Sequence, residues 1–227
     1  DASAWARLWL VAAPLDALVL YASASPDSHA EQGRRRPSLI MLFLYYAKFV
    51  GVSFTFEALF DLGHYWTHRA CHARVSRYLA SCHATHHAVA PDGTGLAPIL
   101  AYRQAPADVL VCNALPAFAA LAFLERVVLR TRLSRFDRAL LWAYKAYVEV
   151  AGHAGCHSRA TSFPQCVWLP RLLGVALRTV DHDRHHYCPR TSRAAACNFS
   201  KRFTLWDRVF GTFDCDDDDL RRGRHAE

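Results

Sequence analysis

Apolar residues in this chain are gathered into blocks instead of recurring at an even amphipathic period, and several blocks approach the length of a bilayer span. Residues 4–24 are long enough to cross, although Arg7, Pro14 and Asp16 interrupt them. A polar connection at 25–37 carries Arg34, Arg35 and Arg36. The second block, 38–62, is apolar and aromatic apart from Lys48, Glu57 and Asp61, and predicts a tilted spanning helix running straight into a histidine-rich stretch. Two shorter blocks, 109–124 and 139–151, flank an arginine-rich link at 126–138. Residues 63–105 are polar, with a Pro-Asp-Gly-Thr-Gly turn at 91–95, and no spanning block follows Ser158.

The polar stretches are where the histidines lie. His83, His86 and His87 stand at offsets i, i+3 and i+4, as do His182, His185 and His186; His68 with His72, and His153 with His157, are i, i+4 pairs. On a helix such offsets share a face, so the imidazoles of a set are expected to converge on one point. Ten of the 13 histidines fall into these four sets, leaving His29, His64 and His225 outside. One pair alone reads as a satisfied core or surface pair, but ten buried imidazoles would each need a hydrogen-bond partner, and metal binding supplies the common explanation. Sets that share a site must lie on one side of a membrane. The chain between His87 and His153 therefore crosses twice or not at all, and the blocks at 109–124 and 139–151 satisfy this as a pair.

Composition refines the picture. The net charge of +7 is scattered among the histidine sets instead of forming a stripe with aromatics. It suits anionic lipid headgroups or local pairing, and no nucleic acid is expected. None of the eight cysteines forms a two-residue-spaced motif; Cys71, Cys82 and Cys156 each precede a histidine and read as small apolar filler ahead of thiolate ligands. Reduced thiols and a cytosol-facing polar part follow. The chain opens without methionine, so its true N-terminus is expected upstream. Residues 213–227, with Asp214, Asp216 to Asp219, Arg221, Arg222 and Arg224, read as a solvated tail.

Imidazole suits zinc, copper, iron and nickel, so ligand type leaves the metal open. Ten histidines are enough for two ions with open positions. The residues after each leading histidine are Arg69, Ala84, Ala154 and Asp183, not the glutamate of a hydrolytic two-histidine helix, so zinc proteolysis is disfavoured. A pair of redox metals beside apolar helices suits oxygen activation against a lipid C–H bond. The rival class is a histidine-rich membrane metal-binding or transport protein without redox catalysis, which would place ionisable residues inside the spans.

Taken in order, DLGHYWTHRACH at 61–72, HATHH at 83–87, Glu149 with HAGCH at 153–157, HDRHH at 182–186 and NFSKRFTLWDRVFGT at 198–212 resemble the fatty acid hydroxylase superfamily, with its sterol desaturases and sterol C-4 methyl oxidases. The resemblance implies an all-α integral membrane helical bundle of about four spanning or half-spanning helices, with a cytosolic histidine-lined cap over a dinuclear metal site. It divides the chain into membrane helices at 1–60, a di-iron domain at 61–212 and the tail. It also implies that His68, His72, His83, His86, His87, His153, His157, His182, His185 and His186 ligate two iron ions, which zinc can replace in purified protein. Further implications are hydroxylation or desaturation of a sterol, fatty acyl or sphingoid chain with O₂, at the endoplasmic reticulum. Electrons would come from a donor such as cytochrome b5 with an NAD(P)H reductase, since no Gly-rich dinucleotide fingerprint is present.

Outside the ligands, His64 is expected in a supporting role, and Tyr65 and Trp66 in packing at the membrane interface. Glu149, Asp183 and Asn198 either orient ring nitrogens or cap helices. Residues 206–212 read as a short amphipathic segment closing the cap, with Trp206 a buried anchor and Asp207 acting through a salt bridge or helix cap.

Overall fold

The computed structural model describes residues 38–87, 104–151, 162–178, 181–182, 185–186 and 197–214. The expected span at 4–24, Asp183, the tail beyond 214, and both His153 and His157 lie outside them. Among the described residues the regular structure is helical, with one isolated antiparallel bridge between Ala176 and Phe203.

Helix α1 (Leu39–His72) is capped by Ser38, whose hydroxyl accepts from the Met41 amide. Its 34 residues extend about 50 Å at 1.5 Å per residue. The helix is divided along its length: residues 39–48 are exposed, whereas from Phe49 onward one face is buried. Arg74, at φ 55°, turns the chain into α2 (Arg77–His87).

Helix α3 (Pro106–Val128) runs antiparallel to α1, starting at the histidine end. Its 109–114 and 124–128 stretches are π-helical. Pro116 accounts for the first: it has no N–H for the Cys112 carbonyl four residues back, and its ring crowds that position. The helices approach closely there, and a Cβ on Gly63 would lie 3.0 Å from Pro116 Cβ. Helix α4 (Arg135–Ala151) returns toward the histidine end, its start fixed by the Asp137 amide donating to Ser134 Oγ at 3.0 Å. This hairpin has the out-and-back course that the sequence requires between His87 and His153.

Phe49, Val52, Phe56 and Phe60 of α1, Ala117, Ala120 and Leu124 of α3 and Leu141 of α4 form the main core. The most apolar 18-residue windows of α1 and α3 are nevertheless only 28% and 39% buried, so much of their apolar surface faces outward, and both helices are long and apolar enough to cross a bilayer. Of the roughly four spanning helices expected, α1 and α3 have span length and composition among the described residues. The block at 139–151 falls in α4, whose 17 residues include Arg135, Asp137, Arg138, Lys145 and Glu149 and whose polar groups serve an internal network.

That network fastens the C-terminal segment to the helices. The fully buried Arg202 guanidinium lies 2.8 Å from Glu57 of α1 and 3.5 Å from Glu149 of α4; Lys201 also pairs with Glu149. Asp61 accepts the amides of Lys201, Arg202 and Phe203 at 2.7, 3.0 and 3.0 Å. Asp207, in α6 (Leu205–Val209), accepts those of Phe199 and Ser200 at 2.8 Å each. Two buried carboxylates thus take five successive N–H groups, which satisfies an irregular buried backbone that has no ladder of its own. A short helix α5 (Leu169–Leu172) precedes the bridge.

Candidate metal centre

The end of α1, α2 and the described histidines of 182–186 place eight imidazoles together. His68, His72, His83, His87 and His185 form one group, and His86, His182 and His186 a second, with ligand nitrogens in each within 4.8 Å of one another. The groups adjoin, since the ring of His186 lies 4.5 Å from that of His87 and 4.7 Å from that of His86. Neither triplet converges on a single point, contrary to the sequence expectation. Each is divided two and one: His83 and His87 turn to the first group and His86 to the second, while His182 and His186 turn to the second and His185 to the first. The cause is helical pitch, because successive residues are about 100° apart and i+3 and i+4 diverge to opposite sides of i.

Ring-nitrogen acceptors establish the tautomers. His68 Nδ1 faces the Phe199 carbonyl at 2.8 Å, His185 Nδ1 the Cys197 carbonyl at 2.7 Å, and His83 Nδ1 the Asp108 carboxylate at 3.0 Å. These oxygens only accept, so each Nδ1 carries the proton and each Nε2 presents a lone pair. Nε2 atoms nevertheless approach one another: His83 to His72 at 3.1 Å, His87 to His83 at 3.0 Å, His72 to His87 at 3.1 Å and His185 to His87 at 3.2 Å. Four atoms share these four contacts, and two have no proton to give, so hydrogen bonding cannot satisfy them all. Buried His68 Nε2 has no hydrogen-bond partner among the described residues. Spacings of 3.0–3.2 Å are those of neighbouring ligands around one ion at about 2.1 Å. The donor set therefore fits a metal.

Burial, followed by the neighbouring His72, holds His185 well below the usual imidazole range; burial, followed by His86 and His182, does the same for His186. Both are neutral at pH 7, the form in which imidazole ligates.

Other candidates take supporting positions. His64 belongs to neither group, and its Nδ1 donates at 2.6 Å to the Cys112 carbonyl that Pro116 leaves free. Asn198, at φ 54°, donates to the Asp181 and Asp214 carbonyls at 3.1 and 2.9 Å and so ties the residue before His182 to the end of the cap. Tyr65 is buried, and its hydroxyl lies 3.0 Å from that of Thr212; Trp66 is half exposed and meets Phe210 edge-on. Trp206 is half-buried and donates Nε1–H to the Ala58 carbonyl at 2.9 Å. Asp207 holds two backbone amides and the Thr212 hydroxyl, where a salt bridge or helix cap was expected. Sequence reasoning missed Asp108, Asp61 and the Phe199 and Cys197 carbonyls. Only an unexplained acid at the start of an apolar block marked Asp108.

Two adjoining histidine groups at the end of apolar, outward-facing helices define the class: a membrane-helix protein with a histidine centre suited to metal. The fatty acid hydroxylase family matches residues 53–212, more than two thirds of the chain, and the chain belongs to that family. The match begins within the part of α1 that has a buried face and ends at Thr212, the residue that closes on Asp207. Over 69 residues the chain is 44% identical to fatty acid hydroxylase vlmA of Lecanicillium sp, a stretch that is 30% of this chain and 18% of that protein. No solved structure matches the chain.

Proposed function

We propose that the protein is a membrane-bound di-iron oxygenase that hydroxylates or desaturates a lipid chain. The observation supporting this most is the pair of adjoining histidine groups, in the first of which Nε2 atoms crowd to 3.0–3.2 Å in more contacts than their hydrogens can satisfy. His68, His72, His83, His87 and His185 would hold one ion, and His86, His182 and His186 the other. His153 and His157 are assigned to the same set on sequence: they follow directly on α4, whose end packs against the cap through Glu149 and Lys201. When bound, a pair of redox metals supplies the electrons that activate O₂ against an unreactive C–H bond. Hydroxylation would then insert one oxygen atom into C–H and reduce the other to water, consuming two protons from solvent and two electrons, passed one at a time from an NAD(P)H-driven donor such as cytochrome b5.

This chain's own part is positional. The Phe199 and Cys197 carbonyls and the Asp108 carboxylate hold the Nδ1 protons of His68, His185 and His83 and so aim the opposite nitrogens inward. Asp61 and Asp207 fix the backbone that carries the Phe199 carbonyl. The apolar surfaces of α1 and α3 bring the centre to the level of lipid chains, at the endoplasmic reticulum with the histidine end facing the cytosol. Lipid profiles of cells expressing the full-length protein and its His87→Ala variant test the activity. A hydroxylated or newly unsaturated lipid present with the parent and absent with the variant is expected; identical profiles contradict the proposal.

A further inference from the structure

One cluster beside the histidine groups has no part in the proposed reaction. Cys71 of α1 and Cys112 of α3 are buried with their sulfurs 3.8 Å apart. Cys71 immediately precedes His72, and Cys112 lies one helical turn beyond Asp108, whose carboxylate reaches within 4.8 Å of both sulfurs while holding His83. The Cys112 carbonyl receives His64. The thiol pair therefore sits at the joint between the helix that supplies two histidines and the carboxylate that orients a third. A further metal ion is the weaker reading: structural zinc sites close with four ligands, whereas this group offers three, and Asp108 is already engaged with His83.

We propose that Cys71 and Cys112 form a redox-modification site, in which hydrogen peroxide converts the pair to a disulfide that pulls Asp108 from His83 and weakens metal retention by the five-histidine group. In the first step one thiolate attacks a peroxide oxygen, the O–O bond breaks, and a sulfenic acid and, after protonation, water result. The second sulfur then displaces the sulfenic hydroxyl as water and forms the S–S bond. Two thiols lose two electrons, and one peroxide becomes two waters. Closing the bond shortens the sulfur separation from 3.8 Å to about 2.05 Å, a movement shared between the two side chains and the stretches of α1 and α3 that carry them, within one turn of His72 and Asp108. Peroxide released by an O₂-using centre that receives electrons without substrate is the natural oxidant. That source rests on the proposed function; the response to added peroxide does not.

The test uses full-length, metal-loaded protein in detergent, treated with hydrogen peroxide, thiol-blocked, and analysed by non-reducing peptide mapping beside a chelator-competition measurement of metal affinity. A Cys71–Cys112 linked peptide is expected, with metal affinity lowered about 10-fold or more, the scale of losing a ligand's carboxylate partner, and with both effects reversed by dithiothreitol. Cys112→Ala should keep the untreated affinity and lose the peroxide response. Should that variant not fold, the dithiothreitol reversal in the parent protein decides alone. Thiols that stay reduced while the more accessible Cys82 oxidises, a disulfide without change in metal affinity, or a folded Cys112→Ala variant as sensitive as the parent would each overturn the proposal. Lipid turnover is not a readout, so the hydroxylase reading stands or falls separately.

Discussion

Each imidazole of the first group whose Nδ1 partner is a carbonyl or carboxylate has its metal-facing nitrogen decided by that partner. Asp108→Asn preserves shape but replaces the charged partner of His83, so metal affinity should fall about 10- to 100-fold in chelator competition. Unchanged affinity would show that His83 is oriented by other means. The lowered proton affinities of His185 and His186 also set a pH dependence. The folded chain keeps these rings neutral while the unfolded chain binds protons below the ordinary value of 6.5. Stability of the metal-free protein should thus be flat above pH 7 and decline as pH falls from about 6.5 toward 5, as followed by thermal melts. The histidines were legible because their offsets are local. Asp108 and His83, 25 positions apart, meet only once α3 has packed on α2. Asp61 lay inside a quoted motif, but its partners are some 140 residues away.

Among the elements, the crossing of α1 and α3 at Gly63 and Pro116 controls how closely the histidine helix approaches Asp108. Gly63→Ala forces a contact of 3.0 Å against a proline ring that cannot swing aside, and should cost about 1–3 kcal/mol in chemical or thermal unfolding. The C-terminal signature is a second such element. Residues 206–212 were expected to close the cap as an amphipathic segment. They do pack on α1, but their hub is Asp207, whose partners at 199 and 200 lie outside any helical repeat. Asp207→Asn should therefore lower both melting temperature and metal retention, because the Phe199 carbonyl that it steadies carries His68. A normal metal count with a lowered melting temperature would confine Asp207 to the fold. Trp206→Ala should cost less than the roughly 3–5 kcal/mol of a fully buried aromatic, since Trp206 is half-buried.

At the scale of the molecule, block lengths foretold helices and a hairpin between the second and third histidine sets, and α3 and α4 form that hairpin. They foretold α4 less well, because a short apolar run does not reveal that Lys145 lies over the Phe60 ring that Arg202 also faces, or that Glu149 turns inward to Arg202. Nor did offsets reveal that each triplet divides between two groups, a matter of helical pitch and of which helices face each other. That division separates a dinuclear centre from a single crowded site, and metal counting by elemental analysis of full-length protein, purified under reducing conditions, distinguishes the two. About two ions per chain are expected for the parent protein, falling by about one in His72→Ala, from the first group, and by about one in His182→Ala, from the second. A parent count near zero or one, or a count that neither substitution changes, would contradict it.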